Sequence, residues 1–176
     1  MQTFMEEFTK LTKVVDYLIK KYFTGKVDKG GNDYIIHLKT VADSVSKLNG
    51  GYFNPFGLNC YITAYLHDIL EDTECTVEEL RENELNEDII NAVVAITRQK
   101  DESYYNFIKR LKKNDIARIV KICDLEHNMD IRRLNKFGKY ELNRLHKYWY
   151  SWKYLKDEIT DNKYLDSMIK RVEYER

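Results

Sequence analysis

One proline and seven glycines in 176 residues leave few places where the chain can turn sharply. Sheet folds need frequent turns, and turns draw on residues that tolerate positive φ or preset the backbone. A chain this poor in both is expected to be built from long helices. The apolar pattern agrees. Phe4, Phe8, Leu11, Val15, Leu18 and Ile19 recur at helical spacing and predict a first helix to about Phe23. Residues 24–32 form a polar, glycine-bearing loop, after which Asn32 or Asp33 caps a second helix with Ile35, Ile36, Val41, Val45 and Leu48 facing inward. Asn54-Pro55 supplies a cap and a first-turn proline for a helix over residues 56–72.

Downstream, Thr76 with Glu79 has the spacing of a capping box for a short helix to about Asn83. Helices over 86–98 and 103–111 follow, and then one capped by Asn114 or Asp115 with Ile116, Ile119, Val120, Ile122 and Cys123 on its apolar side. Leu142, Leu145, Trp149, Trp152 and Ile159 trace a long C-terminal helix. No repeat or abrupt change of composition divides the chain. The expectation is one all-α domain over residues 1–176, a helical bundle ending in a long helix.

Composition narrows the partners. Hydrophobic residues make up 43% and charged residues 33%, with a net charge of zero. That balance suits a soluble protein and argues against one built to coat nucleic acid or an anionic membrane. No apolar run reaches transmembrane length, and the acidic start Met5-Glu6-Glu7 is unlike a signal peptide. Cys60, Cys75 and Cys123 lack metal-type spacing and read as reduced core residues, consistent with a cytoplasmic protein. The aromatic run Tyr148, Trp149, Tyr150, Trp152 and Tyr154 surrounds its helix, as expected for packing on the core or on a second subunit of a homodimer.

The chemistry concentrates in His67-Asp68-Ile69-Leu70-Glu71-Asp72-Thr73. Three carboxylates and an imidazole within two helical turns repel and desolvate one another unless a cation joins them. A histidine nitrogen beside a carboxylate oxygen suits Mn²⁺, Fe²⁺ or Zn²⁺ better than Mg²⁺ or Ca²⁺. With an ion on His67 and Asp68, Glu71 and Asp72 remain close enough to orient a water and take its proton. Asp124 follows an apolar helix face, where a carboxylate is costly without a partner. Asn128 shares that face and offers both a donor and an acceptor. His37, among apolar residues, reads by itself as a core histidine before a ligand. His127 falls off the Asp124 face and reads as solvent-facing or as a residue behind a ligand.

Taken in order, this H…HD…D set on helices resembles the HD-domain metal-dependent phosphohydrolases. Within them it more nearly resembles the hydrolase domain of the Rel/SpoT alarmone enzymes and their small stand-alone relatives. The residues that carry the resemblance are Lys29-Gly30-Gly31-Asn32-Asp33-Tyr34-Ile35-Ile36-His37, the HDxxEDT motif at His67 to Thr73, Thr97-Arg98, and Lys121-Ile122-Cys123-Asp124 through Asn128-Met129. The resemblance spans about residues 10–137, leaving 138–176 as a helical extension. It implies one divalent ion, Mn²⁺ first and Fe²⁺ or Zn²⁺ next, held by His37, His67, Asp68 and Asp124. Glu71 and Asp72 become the catalytic pair that positions the attacking water. Lys29, Arg98 and Asn128 become substrate contacts, with Asn128 on the sugar. The implied reaction is release of pyrophosphate from the 3′ position of guanosine tetra- or pentaphosphate.

The chain departs from the family's pattern at defined places. Asp28 stands where an arginine usually contacts the guanine base, Gly30 where a serine is frequent, Leu38 where a proline follows the first histidine, and Ile131 where a threonine is common. An aspartate there cannot stack as a guanidinium does, and it is expected to repel phosphate. Two other readings therefore accompany the first: a hydrolase of other nucleotides, such as deoxynucleotide mono- or triphosphates, and a regulatory module that binds a nucleotide without turnover. Of the basic residues between Arg98 and Lys147, Arg132 and Arg133 are the strongest candidates to meet a polyphosphate.

Overall fold

The computed structural model describes residues 2–28, 30–48 and 51–169, which form an all-α bundle with no strand among them. The helices are α1 (Gln2–Phe23), α2 (Tyr34–Leu48), α3 (Pro55–Leu66), α4 (Ile69–Asp72), α5 (Val77–Glu82), α6 (Glu87–Ile96), α7 (Tyr104–Leu111), α8 (Asp115–Asn128), α9 (Lys139–Leu155) and α10 (Asp161–Ile169). A single turn of 3₁₀ helix covers Ile131–Arg133 between α8 and α9. No helix among the described residues is long and apolar enough to cross a membrane.

The caps foreseen at Asn54, Thr76 and Asn114 are made, and Asn86 and Ser103 add two more. Asn54, Thr76, Asn86, Ser103 and Asn114 each accept a first-turn backbone N–H with the side chain. Asp33 Oδ1 accepts the Ile35 N–H at the head of α2. The capping box at Thr76 is only half formed, because Glu79 turns away to bond Lys21 and Tyr22 of α1.

Helix α3 is the axis of the bundle. Leu58, Asn59, Cys60, Ile62, Thr63, Ala64 and Leu66 are all buried, so the helix is covered nearly all round. One apolar cluster lies between α3 and α1, α5 and α6, around Leu18, Phe23, Leu58, Ile62, Leu80 and Ile89. The other lies between α3 and α2, α7, α8 and α9, around Val41, Val45, Ala64, Phe107, Ile108 and Val120. Cys60, Cys75 and Cys123 are free and buried within these layers.

Three sequence expectations shift. The helix expected over 56–72 is two helices, because the backbone breaks at Asp68 (φ −103°, ψ 1°). On α2 the inward residues are His37, Leu38, Val41, Ala42 and Val45, whereas Ile36 and Leu48 are exposed. A stripe anchored on Leu38, Val41 and Val45 turns Ile36 outward and His37 inward, since neighbouring positions diverge by about 100°. The long C-terminal helix ends at Leu155. There Lys112 Nζ donates to the Tyr154 carbonyl (2.7 Å) and Arg118 Nε to the Leu155 carbonyl (2.6 Å), closing the terminus with cations. Asp157 then takes φ +60°, and Ile159 lies in the turn before α10.

Candidate metal centre and its pocket

The break at Asp68 gives the centre its geometry. His67 ends α3 inside the core, and the turn to α4 swings Asp68 back beside it. Asp68 Oδ2 lies 3.0 Å from His67 Nε2 and 3.6 Å from His37 Nε2. Asp124, from α8, brings Oδ1 to 3.3 Å from His37 Nε2 and 3.5 Å from His67 Nε2. The nearest donor atoms of His37, His67 and Asp124 all fall within 4.8 Å of one another. Two ligands bonded to one ion at about 2.1 Å stand roughly 3.0–3.5 Å apart. Three of the four separations have that spacing, and the His37–Asp68 one, at 3.6 Å, stands just beyond it.

The protonation pattern points the same way. His67 Nδ1 is 2.7 Å from the Ala64 carbonyl, which can only accept, so Nδ1 carries a proton and Nε2 is the atom turned to the centre. That Nε2 is buried and has no aligned hydrogen-bond partner among the described residues, although carboxylate oxygens stand near it. A buried nitrogen left so is costly unless something else binds it. The buried group of two imidazoles and the Asp124 carboxylate, with Asp68 beside it, has the donor chemistry to hold a divalent ion.

Electrostatics tie the four together even before an ion is considered. Burial would lower the His67 pKa, but the charges of the nearby Asp68 and Asp124 carboxylates push it up to about 10. His37 is raised by the same carboxylates against its burial. Burial would raise Asp68 and Asp124; the imidazoles hold Asp68 well below the usual range, and Lys121 with the imidazoles does so for Asp124.

A cavity of about 450 Å³ opens from the centre to solvent. Glu71, Asp72, Arg98 and Asn128 all line it, with His37, Asp68 and Asp124 at its base. Glu71 Oε2 accepts the Arg98 backbone N–H (3.2 Å), whereas the Arg98 guanidinium is turned to the Glu102 carbonyl. Asp72 Oδ2 accepts the Tyr34 hydroxyl (2.9 Å). Asn128 Nδ2 donates to Asp124 Oδ1 (2.5 Å), so it steadies that carboxylate. Lys29 lies outside the described residues.

Several participants carried no role in the sequence reading. Lys121 pairs with Asp124 Oδ2 at 2.8 Å, and Tyr34 donates towards Asp68 Oδ2 at 2.6 Å. Each lies three residues before a candidate ligand, Asp124 or His37, which places it on the same helix face. Arg144 and Tyr148, four apart on α9, also line the cavity; the aromatic run that reads as core packing thus gives one ring to the pocket. Arg133 is there as expected, while Arg132 points to solvent and pairs with Asp130.

Asp28 behaves differently from the expectation. Its carboxylate is not a free negative charge: Oδ2 pairs with Arg133 at 2.6 Å, and Oδ1 accepts the backbone N–H of Gly30 and Asn32. Burial would raise its pKa, but these bonds hold it below the usual range. His127 lies behind His37, the two rings nearly coplanar and meeting at their Nδ1 atoms, with its pKa pushed down to about 4 by burial and by the neighbouring Arg133 charge.

No family model matches the chain. Among solved structures it resembles a protein described as a metazoan ortholog of SpoT that hydrolyzes ppGpp and plays a role in starvation responses. The TM-score is 0.64 and the identity 17%, over 92% of this chain and 86% of that one. The two chains share a fold. That fold and the buried His/His/Asp group accord with the resemblance read from the HDxxEDT segment.

Proposed function

We propose that this chain is a metal-dependent phosphohydrolase acting on a nucleotide, and that its reaction is of the alarmone type, removing the 3′-pyrophosphate of guanosine tetra- or pentaphosphate. The observation that carries the reading is the convergence of His37 Nε2, His67 Nε2, Asp68 Oδ2 and Asp124 Oδ1 at the base of an open pocket. His37, His67, Asp68 and Asp124 hold the ion in this reading. When bound, it neutralises phosphate charge and lowers the pKa of a water, the two services such ions provide.

The chain's own groups do the rest. Glu71 and Asp72, exposed at the pocket wall, orient the attacking water and accept its proton. Tyr34 keeps Asp68 and Asp72 in register through one hydroxyl. Arg98, Arg144 and Lys29 meet the phosphate oxygens, and Asn128 contacts the sugar. A charged, preorganised wall favours the more anionic transition state over the ground state.

The test is metal analysis of the purified chain, then product identification after incubation with guanosine tetraphosphate and Mn²⁺. Pyrophosphate release that disappears in Asp68→Ala, with the fold intact, is the expected result. The state of Asp28 favours a second reading. With its carboxylate bound to Arg133, the loop lacks a free guanidinium for a guanine base. A hydrolase of other nucleotides accommodates that change. A nucleotide panel separates the two: rapid turnover of others with guanosine tetraphosphate untouched overturns the alarmone assignment.

A further inference from the structure

His37 is held by more than the centre it faces. Its Nδ1 lies 2.7 Å from Nδ1 of His127, and the two rings are within 12° of parallel. A contact between two such nitrogens holds one proton, and either ring could carry it. Arg133 decides which. Its Nη1 lies 3.1 Å from the same His127 Nδ1 and 3.0 Å from the His127 carbonyl. A guanidinium only donates. His127 Nδ1 therefore carries a lone pair, and the shared proton belongs to His37 Nδ1. That leaves His37 Nε2 free to bind at the centre.

Arg133 is itself fixed from the pocket mouth. Its Nη2 meets Asp28 Oδ2 at 2.6 Å, and Asp28 Oδ1 takes the Gly30 and Asn32 N–H groups at 2.8 and 2.9 Å. A Cβ on Gly30 would stand 2.7 Å from the Arg133 carbonyl oxygen, so the loop packs directly on the Arg133 backbone.

We propose that Asp28, Arg133 and His127 form a positioning chain that fixes His37 in its ion-binding tautomer and ties the centre's metal affinity to the loop at the pocket mouth. The proposal rests on the metal-centre reading above and adds three positioning residues to it. Groups behind a ligating histidine commonly change metal affinity 10–100-fold when removed. By reciprocity, a ligand that moves the loop changes metal affinity, and the metal changes affinity for that ligand.

The experiment measures Mn²⁺ binding to the full chain after chelator treatment, by the electron paramagnetic resonance signal of the free ion. Wild type is expected to bind at one site that Asp124→Asn removes. His127→Phe keeps a flat ring and loses the acceptor, and is expected to weaken binding by about 10–100-fold. His127→Gln, with an amide oxygen to accept the His37 proton, is expected to recover most of that loss. Asp28→Asn is expected to weaken binding on its own and to add little to His127→Phe, the non-additivity of one connected chain.

A wild-type readout needs no variant. In the Zn²⁺-loaded protein, nitrogen NMR is expected to show His127 without a proton on Nδ1. No Mn²⁺ binding by wild type sinks both the centre and the chain. Normal binding with His127→Phe unchanged, or a proton found on His127 Nδ1, overturns the positioning chain alone. Strictly additive losses for Asp28→Asn and His127→Phe remove the loop from it.

Discussion

The hydroxyl of Tyr34 lies 2.6 Å from Asp68 Oδ2, at the first turn of one helix and the break between two others. The same oxygen is 2.9 Å from Asp72 Oδ2, yet a phenol has one proton to give. Burial and the two carboxylates together raise the Tyr34 pKa, so that proton stays on. Tyr34→Phe keeps the ring on Phe23 and frees both carboxylates. Turnover is expected to fall roughly 10–100-fold, the usual cost of losing a group behind a ligand, with little change in melting temperature. Steady-state kinetics beside thermal unfolding checks this.

Lys121 and Asp124 form a largely buried ion pair at the centre, with side chains 15% and 4% exposed. Removing one member of a buried pair strands the other, at about 3–5 kcal/mol. Lys121→Met is therefore expected to destabilise the metal-free chain by that order. Divalent ion should then restore stability more in the variant than in wild type, since the ion supplies positive charge to the same carboxylate. Urea unfolding with and without Mn²⁺ measures both.

Those two residues also mark how far the sequence can be read. The helices were legible because caps such as Asn54, Thr76 and Asn114 and the apolar spacing act locally. His67 and Asp68 were legible as a pair serving one ion, but the backbone break that brings them together was not, since no propensity announces it. His37 reads as core from its neighbours alone, and only its place across from α8 makes it a partner of Asp124. Asp28 with Arg133 is a contact between residues 105 apart in sequence, and so invisible to any local pattern. Arg144 precedes the aromatic run, among His146 and Lys147, where nothing local sets it apart from a surface cation.

Glu102 and Arg110 clamp the segment that carries Arg98. Arg110 bonds both oxygens of Glu102 at 2.8 Å and also donates to the carbonyls of Ala95 and Thr97. The Arg110 bonds, against some burial, lower the Glu102 pKa. A carboxylate with a depressed folded pKa stabilises the fold above its unfolded value, about 4.3, and loses that contribution as pH falls through the folded one. Glu102→Gln is expected to cost about 1.5–3 kcal/mol at neutral pH, the range for hydrogen bonds to charged groups. The gap from wild type should close progressively in acid, as chemical denaturation across that range would show.

Gly30 sits where a side chain has no room, with the Arg133 carbonyl 2.7 Å and Asn32 Nδ2 2.9 Å from an added Cβ. The asparagine can swing aside; the carbonyl belongs to a 3₁₀ turn and moves only with its backbone. Gly30→Ala is expected to lift the loop off Arg133, raising KM for the nucleotide and opening the loop to protease. Unchanged KM and proteolysis would mean the loop does not rest on Arg133 in solution.

Arg144 is 91% removed from solvent at the pocket wall (9% exposed), its guanidinium 5.7 Å from the Tyr148 ring centroid, and its Nε has no hydrogen-bond partner among the described residues. A buried guanidinium with a donor to spare is suited to phosphate oxygens, which it can grip through two parallel N–H groups. A phosphate contact made equally in the ground and transition states shows in KM more than in kcat. Arg144→Gln is therefore expected to raise KM by about tenfold, or ~1.4 kcal/mol, with a smaller effect on kcat. Arg144→Lys should recover only part of it, because an ammonium cannot reproduce the fork. A mainly structural Arg144 would instead lower the melting temperature in Arg144→Gln and leave KM where it was.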